Sequence, residues 1–133
     1  MSADAPVYIG TCGFSYPEWI EAGIYPPGTK SARMLGLYGR LFPVVELNYT
    51  WYQMARAEAI ARMVEKAPPH LRFAAKLTRT ITHERDQDWR DQLQQFRRGI
   101  APLAGRLLAV LIHHDDVMKF GQPVEDFAYL AHM

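Results

Sequence analysis

The segment Phe42-Pro-Val-Val-Glu-Leu-Asn-Tyr-Thr-Trp-Tyr52 carries the side chains of this chain best suited to chemistry. Read as an extended strand, it sets Val44, Glu46 and Asn48 on one face and Val45 and Leu47 on the other. A carboxylate in so apolar a run needs a partner or a shifted pKa, so something polar is expected to meet Glu46. The run Phe73-Ala-Ala-Lys-Leu77 reads as a second strand, with Lys76 on the face of Ala74 and Thr78. Adjacent parallel strands lie about 4.8 Å apart, which lets Glu46 and Lys76 approach each other inside one mouth. There the pair could serve as a general acid or base beside a cation that tunes it or binds an oxyanion. The structural alternative is a buried ion pair that stitches the strands together.

His83 lies in the polar stretch Thr78-Arg-Thr-Ile-Thr-His-Glu-Arg85, together with Arg79. Hydroxyls, one imidazole and guanidinium groups suit an anionic or sugar-like group, with His83 as acid or base near neutral pH. A polar loop leading into the next helix is the plainer reading. Gly10-Thr-Cys-Gly13 ends another strand, where Gly10 is expected either to leave a gap for substrate backbone or phosphate or to form a tight turn. Tyr16, Trp19, Tyr49, Trp51 and Tyr52 follow strand ends, and Trp19 and Tyr52 lead as stacking surfaces for a sugar or base, against a core role for all five. Cys12, the only cysteine, reads as packing and allows no intrachain disulfide. In His113-His-Asp-Asp116 neighbouring side chains of an extended segment point to opposite faces, so no metal site is expected there. The residues assign no cofactor.

Positioning these groups requires strands and helices in alternation. Val7–Gly10, Val44–Asn48, Phe73–Leu77 and Leu107–Ile112 read as strands, being short, apolar and rich in β-branched or aromatic residues. Between them, helices are predicted over Ser31–Phe42 with Ser31 as N-cap, over Arg56–Ala67 up to Pro68-Pro69, and over Asp88–Ala101 with Asp88 as cap. This βαβαβαβ order predicts an α/β fold with a parallel sheet.

Composition narrows the function classes. The chain has 133 residues, 49% of them hydrophobic and 12% aromatic, enough for a true core. Fifteen basic and fourteen acidic side chains leave +1, without a Lys/Arg run, so neither nucleic acid nor an anionic membrane is an expected partner. No segment approaches the roughly 18 apolar residues of a membrane span, and Met1-Ser-Ala-Asp-Ala-Pro6 does not resemble a secretory leader. A soluble, cytoplasmic protein is expected.

Five motifs occur in order: Ile9-Gly-Thr-Cys-Gly-Phe-Ser-Tyr-Pro-Glu-Trp19, Tyr25-Pro-Pro27, Val45-Glu-Leu-Asn-Tyr-Thr-Trp-Tyr52, Phe73-Ala-Ala-Lys-Leu77 and Ile81-Thr-His83. Together they resemble the YecE-like proteins, catalogued as domain of unknown function 72, from about Val7 to Ile112. The resemblance implies a TIM-barrel-type fold and no established reaction. Such a barrel takes about 250 residues and eight strands, so about half a barrel of four parallel βα strands is expected, as one domain over residues 1–133. The chain is then either truncated relative to the family or a half-barrel in its own right, and residues 113–133, with a helical pattern over Val124–Met133, depart from the family pattern. Unpaired edges at the outer strands lead to an expectation of self-association.

Functional residues of parallel barrels gather at the C-terminal strand ends. The expected site there binds a small molecule and performs acid–base chemistry on a phosphorylated or polyhydroxylated compound. Glu46, Lys76 and His83 would act, and Asn48, Tyr52, Arg79, Trp19 and Gly10 would bind. A non-catalytic ligand-binding or assembly module, or an inactive half-barrel, are the alternatives.

Overall fold

The two periodicities resolve into one parallel sheet with helices on one side. The computed structural model describes residues 5–84 and 87–112. Its elements are β1 (Gly10–Cys12), α1 (Glu18–Glu21), α2 (Ser31–Leu41), β2 (Val44–Leu47), α3 (Tyr49–Tyr52), α4 (Ala57–Lys66), β3 (Arg72–Lys76), α5 (Trp89–Ile100) and β4 (Leu107–Leu111). A π-helical turn over Thr80–Glu84 and a 3-10 segment over Ala101–Arg106 complete the connections. The strands lie in the order β1-β2-β3-β4, every neighbouring pair parallel. These are sequential βα units of TIM-barrel type.

Strand alternation sorts the two faces. Val45, Leu47, Phe73 and Ala75 are buried and join Leu35, Tyr38, Ile60, Leu93, Phe96 and Ile100 of the helices in one apolar core. The opposite, inner face carries Val44, Glu46, Ala74 and Lys76, all half-buried, and exposed Ala109 and Leu111. Tyr38, fully buried, ties α2 to two strands: its hydroxyl accepts the Thr11 amide at 2.8 Å and donates to the Val44 carbonyl at 2.7 Å. A buried phenol needs such partners, and here it fixes where β1 lies against β2.

Close backbone approach sets the helix layer. In α2, a Cβ at Gly39 would stand 2.5 Å from Pro68 Cγ. In α5, a Cβ at the buried Gly99 would fall on the Ala55 carbonyl oxygen and 2.9 Å from Ala55 Cβ. Backbone cannot yield as a flexible side chain can, so Gly99→Val is expected to destabilise the fold by about 1–3 kcal/mol. Urea titration should show a lowered midpoint with an unchanged m-value. An unaltered midpoint would place α5 farther from Ala55.

Several predicted boundaries move. The first strand forms at Gly10–Cys12, and Val7 and Ile9 precede it at 82% and 70% exposure. Ser31 is the first residue of α2; Lys30 occupies the cap position, and no side chain caps it. Asp88 does sit at the α5 cap position, but its carboxylate accepts the Gln92 side chain at 2.9 Å and leaves the backbone amides alone. The helix predicted over Val124–Met133 lies outside the described residues, and among the described residues no helix is long and apolar enough to cross a membrane.

Candidate functional site

The register brings the polar residues of the inner face together near the C-terminal strand ends. Cys12 of β1 stands opposite Glu46 of β2, Glu46 opposite Ala74 of β3, and Lys76, one pleat beyond Ala74, opposite Leu111 of β4. Glu46 and Lys76 thus rise from adjacent strands on one face. No ion pair closer than 4 Å joins them among the described residues, where Arg79 and Glu84 form such a pair at 3.9 Å.

The Cys12 thiol registers both charges. Although Cys12 is exposed, partial loss of solvent around its thiol pushes the pKa up, the Glu46 carboxylate raises it further by charge and hydrogen bonding, and the Lys76 ammonium pulls it back. At pH 8 Cys12 should therefore react with a disulfide reagent more slowly than a solvated thiol. Glu46→Gln should speed that reaction and Lys76→Met slow it, because only the thiolate attacks. Rates insensitive to both substitutions would separate these groups in space.

Trp51 of α3 joins the strand ends to the loop after β3. The Lys76 ammonium lies 5.2 Å from its ring centroid, within cation–π range. His83 meets the indole edge-on at 5.1 Å and 89°, and Tyr52 at 5.0 Å and 82°. His83 Nδ1 is 2.9 Å from the Thr82 hydroxyl, and the π-helical turn carries both.

Buried Thr50 holds this arrangement. Its hydroxyl accepts the Lys76 amide at 3.1 Å and lies 2.6 Å from the Lys76 carbonyl and 3.0 Å from that of Leu47. Buried Thr78 donates its hydroxyl to the Thr50 carbonyl at 2.8 Å. The start of α3 is thereby clasped to the end of β3, which sets Trp51 over Lys76.

The other predicted residues are distributed as follows. Asn48 is half-buried at the cap position of α3, and its side chain makes no capping bond. Tyr52 is 60% exposed, and Arg79 is half exposed against Glu84. Trp19 packs among aromatics: it stacks on Tyr38 at 6.3 Å and 15° and meets Tyr25 at 5.5 Å and Tyr16 at 4.9 Å. Because Tyr38 packs on the helix side of the sheet, the Trp19 ring serves that cluster. At Gly10 the expected gap is absent, because the space of a Cβ is filled by the Val44 carbonyl of β2. Glycine there permits close strand pairing, and the nearby Tyr16 hydroxyl donates to the Cys12 carbonyl.

Thr50 and Trp51 are the residues that sequence reasoning undervalued. The available signal was spacing: once the chain turns helical after Leu47, Trp51 lies one turn beyond Asn48 and returns over the strand end. His113 to Asp116 fall outside the described residues; among those described, no group of three or more His, Cys, Asp or Glu could hold a metal ion.

A groove of about 790 Å³ lies elsewhere, between α2 and the end of α4, lined by Arg33, Arg40, Lys66 and His70 among others. It holds no carboxylate and none of the inner-face residues, so the strand ends remain the candidate for acid–base chemistry.

Comparison with known proteins agrees with this architecture. The model of a family described as "Protein of unknown function DUF72" matches residues 8–133. The UPF0759 protein YunF of Bacillus subtilis (strain 168) is 32% identical over 82 residues, covering 61% of this chain and 28% of that protein. A DUF72 family crystal structure from Thermotoga maritima superposes with a TM-score of 0.65 at 28% identity, covering 86% of this chain and 49% of that one. One from Enterococcus faecalis gives 0.65 at 23% identity, covering 94% and 45%. The chain thus spans about half the length of these solved relatives, and less of the curated one.

Proposed function

The chain belongs to the DUF72 family, and on that footing we propose that its inner-face cluster binds a phosphorylated or polyhydroxylated small molecule and performs acid–base chemistry on it. One observation carries this reading: Glu46 and Lys76 share an open face without pairing to each other, so both charges remain available to a ligand. A structural ion pair would have brought them together.

In this reading Glu46 takes or returns a proton. Lys76, held over Trp51, binds the negative charge that develops or that a phosphate brings. His83, edge-on to the same indole and 2.9 Å from the Thr82 hydroxyl, is the second proton-transfer group, since an imidazole carries both a donor and an acceptor nitrogen. The Asn48 amide and the Arg79 guanidinium bind hydroxyl or phosphate oxygens, and the exposed Tyr52 ring offers a flat face to a sugar. Trp19 and Gly10 are left out of the binding set because their surroundings are already filled.

Thermal-shift screening of the wild-type chain against sugars, sugar phosphates and inorganic phosphate tests the proposal. A ligand at 100 times its Kd should add about 2.7 kcal/mol to apparent stability, and Lys76→Met should abolish the response to phosphorylated ligands. Hits are then assayed for turnover, and binding without turnover would make the site a ligand-capturing module. No response to any compound, or responses equal in Lys76→Met, would sink the reading.

A further inference from the structure

We propose that the groove between α2 and the end of α4 docks an acidic peptide segment, extended and carrying carboxylates three residues apart around apolar residues. The inner-face residues take no part in it, so either reading can fail without the other.

Charge singles this groove out. The chain as a whole balances fifteen basic against fourteen acidic side chains, yet Arg33, Arg40 and Lys66 line the groove with no carboxylate in its walls. All three are exposed, and no ion pair engages them among the described residues. Glu65, next to Lys66 in sequence, does not line the groove. Helix polarity accounts for part of the pattern, because Arg40 and Lys66 fall in the last turns of α2 and α4, where the macrodipole favours a cation. It does not account for Arg33. That residue sits in the first turn of α2, where a cation is disfavoured and no acidic side chain of the turn offsets it. An anion lying in the groove would offset it.

Spacing selects a peptide. The end of α4 is held against α2: the Lys66 carbonyl is 3.8 Å from where a Cβ of Gly36 would stand, and His70 donates its Nε2–H to the Gly39 carbonyl at 2.6 Å. Arg40, Lys66 and His70 thereby mark one end of the groove and Arg33 the other. Seven residues of helix separate Arg33 from Arg40, two turns on one side of α2 and about 10 Å along its axis. A peptide in the polyproline II conformation advances about 9 Å in three residues and brings its side chains back to the same face. Its carboxylates at i and i+3 therefore meet both ends. Between them Leu37, Ala67 and Pro68 give the groove an apolar stretch for the intervening side chains. A compact anion would meet one end only.

Titration of the isotope-labelled 133-residue chain with acetyl-Ala-Glu-Leu-Pro-Glu-Ala-amide, followed through its amide resonances, is the test. Shifts should gather at Ala32, Gly36, Leu37 and Ala67, with a Kd below about 1 mM. Replacing both glutamates of the peptide by glutamine should abolish them, and setting the two glutamates side by side should weaken binding several-fold. Arg33→Gln and Arg40→Gln should each weaken it about threefold, and together about tenfold, as exposed charge pairs do. Their melting curves should match the wild type, and Lys76→Met should bind the peptide unchanged. Absence of shifts at the groove, an equal response to the glutamine peptide, binding indifferent to both arginine substitutions, or equally tight binding of suberate, a small dicarboxylate of similar reach, would overturn the proposal.

Discussion

Glu46→Gln is expected to cut turnover of any substrate found by screening by about 10²–10⁴-fold, the usual contribution of a positioned acid or base. The amide keeps the shape of the carboxylate and loses only its capacity to hold or release a proton. Because Glu46 is half-buried on the inner face and makes no ion pair with Lys76, its neutralisation should leave stability within about 0.5 kcal/mol of wild type. The combination is diagnostic. A structural carboxylate would show the reverse, a lower melting temperature with activity retained. Lys76→Met supplies the contrast: if lysine binds charge present in the ground state, KM should rise more than kcat falls. Full activity of Glu46→Gln would remove the carboxylate from the chemistry whatever the ligand.

The reasons why parts of this arrangement are legible in the sequence are physical. β2 and β3 could be read to within a residue or two because burial on the helix side enforces strict alternation, Val45 and Leu47 in the one, Phe73 and Ala75 in the other. That same alternation sets Glu46 and Lys76 on the opposite face. α5 was equally plain, since Leu93, Phe96 and Ile100 recur at helical spacing. β1 lies later than its composition suggests, because its apolar lead-in, Val7-Tyr-Ile9, looks more strand-like than Gly10-Thr-Cys12. The pairing of Gly10-Thr-Cys12 depends on a side-chain-free approach to Val44 and on the distant Tyr38 hydroxyl, both of which are tertiary. For Trp19, chain position alone suggests the mouth and does not reveal that three other aromatic rings surround it.

The turn Tyr49–Tyr52 shows the limit most sharply, and it yields the second large effect. Tyr-Thr-Trp-Tyr has the composition of a strand, and what bends it into a helical turn is a hydroxyl 26 residues from its partner. Thr50→Val keeps the volume and removes that hydroxyl. The Lys76 amide, bonded to Thr50 at 3.1 Å, then loses its acceptor in a part-buried setting, and the Lys76 carbonyl loses a contact of 2.6 Å. Unsatisfied buried groups cost about 1–3 kcal/mol and these are part-buried, so Thr50→Val should destabilise by roughly 1–2 kcal/mol, read as a lowered urea midpoint. Thr50→Ser retains the hydroxyl and should recover most of the loss, which separates the clasp from simple packing. A functional readout accompanies the structural one: with the turn loosened, Trp51 no longer holds its place over Lys76, and phosphorylated ligands should bind more weakly even well below the melting temperature. If Thr50→Val and Thr50→Ser were equally stable and bound alike, the clasp would carry neither the fold nor the site, and Trp51 would have to be positioned by its contacts with His83 and Tyr52.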